Sequence, residues 1–274
     1  MRLLKRLFDF YLQASIHVAL SVYSLVQMTQ HQFGTGYDVA VAMFAFFGTI
    51  VGYNFVKYDA LARIRENGFR PKIKIIAAFS FCCFVGAAWY FLELRMVTKL
   101  LSGAFLLLTM LYTLPFFPNR RNARNWAGVK IYIVALCWVG VTLLLPLIDA
   151  DVLLSADVLL KCVQRFIFVF VLILVFEIID LTKDDPHLQT VPQQIGVKRT
   201  KILGIFLLLI FYFLEFLNSH VDTSQLIVNL IIVACISLLL MFADERRSKY
   251  YSAFWVEAVP VLWWILILVF SHSF

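Results

Sequence analysis

The residues best suited to chemistry in this 274-residue chain are four carboxylates, Glu177, Asp180, Asp184 and Asp185, which stand at the end of an apolar run. An acid inside or at the edge of a membrane helix is costly without a partner, so a cluster of them marks a functional site. On a helix, positions 177, 180 and 184 are three and four residues apart and project from one face. Carboxylates that close repel one another unless a cation sits among them. Mg²⁺ suits the set, because it takes oxygen ligands and is usually held by one or two carboxylates with waters and substrate phosphates.

The elements that must position these acids are membrane helices. The chain is 62% hydrophobic and only 15% charged, with a mean hydropathy of +0.86, whereas soluble domains carry about 25% charged residues. A spanning helix needs about 20 apolar residues, and such segments fall at roughly 14–30, 37–57, 73–94, 98–117, 129–148, 158–179, 200–217, 224–242 and 251–271. The expected fold is all-α: a polytopic membrane helical bundle of about nine transmembrane helices around a central cavity, forming a single membrane domain over 1–274. Residues 1–13 set Leu3, Leu4, Leu7, Phe8 and Leu12 against Arg2, Lys5 and Arg6, the pattern of an interfacial amphipathic helix.

Charge orders the spans. Twenty of the 24 Lys and Arg residues lie at the N-terminus or in every second connection, and the opposite connections hold only Arg95, Lys99, Lys161 and Arg165. By the positive-inside rule the N-terminus is cytoplasmic. The expectation is therefore an integral, multi-pass protein, placed in a bacterial inner membrane. The net charge of +7 is then accounted for by orientation and anionic headgroups, with no nucleic acid partner. The five cysteines lie in apolar segments without metal spacing and read as small buried hydrophobes.

Spans two and six end on the same face, so Asn54 and Asp59 share a side with Asp180 and Asp184. The polar segment Glu177-x-x-Asp180-x-x-x-Asp184, followed by Thr190-Val191-Pro192 and Gly196, resembles the second aspartate-rich motif of the UbiA-type intramembrane prenyltransferases. The nine-span layout is similar too, as are Tyr112-Thr113-Leu114-Pro115 and the basic residues Arg120, Arg121 and Lys130 beyond them. In that family an Asn and two Asp of a first motif join the second motif in holding Mg²⁺ against a prenyl diphosphate. Asn54 matches the leading Asn, but four and eight residues onward stand Tyr58 and Ala62. The nearest acid, Asp59, is one residue out of register, about 100° around a helix.

The resemblance implies a Mg²⁺-dependent enzyme that moves a polyprenyl group from its diphosphate to a lipophilic or aromatic acceptor. Asn54, Asp59, Glu177, Asp180 and Asp184 would form the metal site, with Asn54, Asp59, Asp180 and Asp184 carrying catalysis. Tyr112, Arg63, Arg121, Lys130, Lys183 and Lys198 would bind substrate. Cleaving the C–O bond leaves an allylic cation and pyrophosphate, so acids for the metal, bases for phosphate and aromatic faces for the cation are all required. Phe47, Tyr53, Tyr112 and Trp138 are candidates for those faces. His17, Gln27, Gln164, Arg165, Glu215 and Glu257 are further polar residues within spans that could contact a substrate; for Arg165 the plainer alternative is pairing with an acid or snorkelling outward, and Glu257 would either shape the acceptor site or make a structural hydrogen bond. The alternative is a relative without turnover that binds isoprenoid lipid or serves as a membrane partner, which the altered first motif favours.

Overall fold

The computed structural model describes residues 2–64, 71–113 and 128–271 and, within them, all side chains except those at 2, 59–64, 71–72, 111–113 and 186. The chain is all-helical there, in the order α1 (Arg2–Gln13), α2 (Ile16–Gln32), α3 (Val39–Ile64), α4 (Pro71–Glu93), α5 (Met96–Thr113), α6 (Val129–Val139), α7 (Leu145–Asp149), α8 (Ala156–Ile179), α9 (Val191–Ile195), α10 (Val197–Leu214), α11 (Thr223–Met241) and α12 (Val259–Ser271). Five-residue-spaced π turns at Gly140–Leu144 and Tyr251–Val256 join α6 to α7 and lead into α12.

Seven helices among the described residues are long and apolar enough to cross a membrane. Of the nine expected spans, α5 has a shorter apolar stretch, Met96–Met110, and α2 has 17 residues rich in polar side chains. The most buried span is α8. Its Phe168, Leu174, Val175 and Ile178 form the centre of the core with Phe211 of α10, Ile232, Ile236 and Leu240 of α11, and Trp263 of α12. Gly204 permits the close approach there, since a Cβ would stand 2.4 Å from the Leu240 side chain. Helix α8 packs on α6, α10 and α11, and from α11 the packing continues through α12, α2, α3 and α4 in turn.

Helix α2 is polar because it completes its neighbours' hydrogen bonding. A proline lacks the N–H that would bond the carbonyl four residues back, so Pro146 leaves the Thr142 carbonyl without its helical donor. The Thr29 hydroxyl of α2 donates to that carbonyl at 2.7 Å. In the second π turn, which precedes Pro260, His17 Nε2 donates to the Phe254 carbonyl at 2.9 Å, and Ser21 donates to the carbonyl of Glu257. Exposed backbone groups within a bilayer must find protein partners; α2 supplies one at the first interruption and adds a further donor at the second, where the Phe254 carbonyl also accepts from the Ala258 amide at 2.9 Å.

Two buried polar clusters belong to this framework. Arg165, named above for an acid partner or a snorkelling pose, does neither. It is buried, donates to the Thr142 hydroxyl at 3.0 Å and the Leu25 carbonyl at 3.3 Å, and lies 5.7 Å from the Trp263 ring centre. Glu215 is ion-paired with Lys161 at 2.8 Å and accepts from Gln164, Asn218 and Asn229. Lys161 and Glu177 are sixteen residues apart on α8, about 24 Å at 1.5 Å per residue. The Lys161–Glu215 cluster therefore marks the opposite end of the bundle from the acid-rich segment.

Helix α1 is a 12-residue amphipathic helix with Leu3, Leu4 and Leu7 exposed. It is fastened by Asp9, which accepts from the Tyr250 hydroxyl at 2.7 Å and lies 3.8 Å from Lys249. That bond to a carboxylate raises the Tyr250 phenol above its ordinary pKa.

Candidate functional site

The acids come together by a turn rather than along one helical face. Helix α8 stops at Ile179, and the amides of Lys183 and Asp184 both donate to the Asp180 carbonyl, at 2.8 and 2.9 Å. This corrects the expectation that Glu177, Asp180 and Asp184 share a continuous helix. The chain then turns through Pro186–Leu188 into α9, whose Val191 amide donates to Glu177 Oε2 at 3.0 Å. A carboxylate at a helix N-terminus meets unpaired N–H groups and the positive end of the dipole, so Glu177 also joins α8 to α9.

Glu177, Asp180 and Asp184 all line one cavity of about 460 Å³, together with Lys130 at the start of α6. Lys130 Nζ lies 4.0 Å from Asp184 Oδ2, an oxygen that is buried and accepts no hydrogen bond. Asp180 is closer to solvent and pairs with Lys183 at 2.8 Å. Away from these charges the walls are mostly apolar, with Phe44 of α3, Phe105 of α5, Val134 of α6, and Leu172 and Phe176 of α8, and carry one further acid, Glu257. A charged entrance joined to a greasy interior is the shape that an amphiphile with an anionic head requires.

The width of the cavity is set by small residues. On α3 the lining positions are Phe44, Ala45, Gly48, Thr49, Gly52, Tyr53 and Val56, the three- and four-residue spacing of one helical face. A Cβ at Gly48 or Gly52 would meet only open space. Across from α3, the indole N–H of Trp138 donates to the Tyr53 hydroxyl at 2.8 Å. Gly140 allows Phe105 to reach the wall, since a Cβ there would lie 2.0 Å from its ring.

The first motif is placed differently from the second. Asn54 turns away from the cavity: its Oδ1 accepts from Ser15 at 2.8 Å, and its Nδ2 donates to the Ala14 carbonyl and to Ser80 at 3.1 and 2.8 Å. With both amide donors engaged it ties the α1–α2 turn to α3 and α4, and it does not join Asp180 and Asp184. The side chains of Asp59, Arg63 and Tyr112, and all of Arg121, lie outside the described residues. Lys183 is turned to Asp180, and Lys198 is exposed on α10. Of the aromatic candidates, Tyr53 and Trp138 line the cavity, whereas Phe47 stacks on Tyr90. The stripe on α3 and the placement of Phe44, Phe105 and Phe176 were missed; the run of small residues at 45, 48 and 52 was the available signal.

Among the described residues, no three His, Cys, Asp or Glu side chains converge as a metal centre. That does not disqualify Mg²⁺, which is ordinarily held by one or two carboxylates, with phosphates and waters completing the shell. Asp184 fits such a role through its buried oxygen, which accepts no hydrogen bond and has Lys130 as its ionic partner, and Asp180 stands at the same entrance.

No protein-family model matches the sequence, and no curated protein matches it. Solved structures do. A UbiA homologue from Aeropyrum pernix K1 superposes with a TM-score of 0.62 at 15% identity, over 94% of this chain and 97% of that one. A structure described as digeranylgeranylglyceryl phosphate synthase in membranes superposes with a TM-score of 0.58 at 13% identity, over 98% of this chain and 100% of that one. The backbone of this protein thus has, along nearly its whole length, the membrane-helical fold of the UbiA-type prenyltransferases.

Proposed function

We propose that the protein is a Mg²⁺-dependent membrane prenyltransferase, which transfers a polyprenyl group from its diphosphate to a lipophilic or aromatic acceptor. The observation that carries this reading is the cavity itself, with Lys130, Asp180 and Asp184 at a charged entrance and aromatic and aliphatic walls beyond. Lys130 would contact the diphosphate, and Asp180 and Asp184 would hold the ion. The ion's chemistry is to neutralise the departing pyrophosphate. The apolar walls would seat the tail and keep water from the allylic cation, while the faces of Tyr53, Phe105 and Trp138 offer it π density. By charge pattern, this entrance is on the cytoplasmic side.

The direct test is Mg²⁺-dependent release of pyrophosphate from geranylgeranyl diphosphate by the protein in lipid nanodiscs. Asp180→Ala and Asp184→Ala should each reduce it at least about a hundredfold, the scale of losing charge stabilisation at a reacting group. Release that is absent from the parent protein, or unchanged in both variants, contradicts the reading. A second reading, a lipid-binding relative without turnover, is favoured by one observation: Asn54 is engaged in packing and leaves the entrance with second-motif acids alone among the described side chains. It predicts binding of the diphosphate lipid with no release.

A further inference from the structure

The cavity has another carboxylate, on a different wall from the entrance acids. Glu257 follows the π turn Tyr251–Val256 and lines the same space, as do Val18, Val22, Val256 and Pro260. Single π turns inside helices recur at functional sites, because the inserted residue re-aims its neighbours. The backbone here is firmly held: the Glu257 amide donates to the Ser252 carbonyl at 3.2 Å, and its own carbonyl accepts from Ser21. The side-chain carboxylate, by contrast, receives no hydrogen bond and no ion pair from the described residues.

Its electrostatic neighbours are Lys57 and Tyr11 rather than Glu177, Asp180 or Asp184. It therefore stands apart electrostatically from the entrance acids. A carboxylate that lines a mostly apolar cavity, with Lys57 and Tyr11 near it but no hydrogen bond from the described residues, is suited to accept one from a ligand. The ligand that this wall admits is a lipophilic molecule carrying a hydroxyl.

We propose that Glu257 binds the hydroxyl of the acceptor and takes its proton during transfer; this rests on the prenyltransferase reading above. The donor's C–O bond breaks, and its electron pair leaves with pyrophosphate. A lone pair on the acceptor oxygen forms the new C–O bond to the prenyl carbon. The oxygen's proton passes to the Glu257 carboxylate and from there to water. General-base assistance of this kind contributes about 10²–10⁴-fold.

The experiment compares two nucleophiles in nanodiscs with geranylgeranyl diphosphate and Mg²⁺. Dodecanol must lose a proton on attack, whereas azide has none to lose. The parent protein should form both the ether and the azide adduct. Glu257→Gln, which keeps shape and folds as judged by a single gel-filtration peak, should lose ether formation by about a hundredfold or more while still forming the azide adduct. Glu257→Asp should restore part of the ether. Equal loss of both products, equal retention of both, or an azide adduct with no ether from the parent protein overturns the role of Glu257. If the parent releases no pyrophosphate under any condition, prenyl transfer itself fails, and this role with it.

Discussion

Trp138 donates its indole N–H to the Tyr53 hydroxyl at 2.8 Å, bridging α6 and α3 across the wall of the cavity. Buried indoles and phenols ordinarily find such a partner, leaving their rings to pack against apolar ligands. Interhelical hydrogen bonds in membrane proteins contribute about 0.6 kcal/mol on average and at most about 1.7 kcal/mol. Tyr53→Phe and Trp138→Phe should each lower thermal stability within that range. In a double-mutant cycle read by thermal unfolding in detergent, the pair should show coupling of the same size; strict additivity would mean that the bond contributes nothing.

The Thr29 hydroxyl stands in for the amide that Pro146 lacks. Thr29→Val leaves the Thr142 carbonyl without that donor and should cost about 1–2 kcal/mol. Adding Pro146→Ala supplies a backbone N–H and should recover part of the loss. A double variant as unstable as the sum of its parts would show that the proline is not what makes Thr29 necessary.

At the far end of α8, Glu215 neutralises Lys161 in a largely buried setting. Removing one member of a buried pair strands the other charge and costs about 3–5 kcal/mol, whereas replacing both by apolar groups is often neutral. Glu215→Leu should therefore reduce the folded fraction after heating far more than Lys161→Met with Glu215→Leu. The reverse order would mean that Glu215 serves chiefly its amide partners, Gln164, Asn218 and Asn229.

Gly140 is the contact point for Phe105. Gly140→Ala places a methyl into that ring, and overpacking of this kind costs about 1–3 kcal/mol. Phe105→Leu in the same chain should relieve it. Thermal unfolding of the single and double variants checks the relation, and an indifferent Gly140→Ala would place the ring elsewhere.

What the sequence made legible follows from what is local. The helical spans, the amphipathic α1 and the acid-rich segment after the sixth span are visible because hydropathy, period and turn residues act over a few neighbours. Ile179 as a helix end was within reach as well, since Thr182, Asp184, Asp185 and Pro186 are turn formers. The polar stripe of α2 was not, because His17 meets Phe254 and Thr29 meets Thr142, partners more than a hundred residues away. Asn54 misled for the same reason. Its type fits a metal ligand, and only the positions of Ala14, Ser15 and Ser80 show its amide already engaged. Arg165 finds hydroxyl, carbonyl and indole partners that no charge count reveals.

The most direct test of the account is a structure of the protein in nanodiscs with Mn²⁺ and geranylgeranyl thiodiphosphate, an analogue that resists cleavage. The account predicts metal density within ligating distance of Asp180 and Asp184, the diphosphate beside Lys130, and the tail running past Tyr53, Trp138 and Phe105. A diphosphate bound at the Lys161–Glu215 end, or an empty space between Lys130 and Asp184 with the tail lying in lipid, would contradict it.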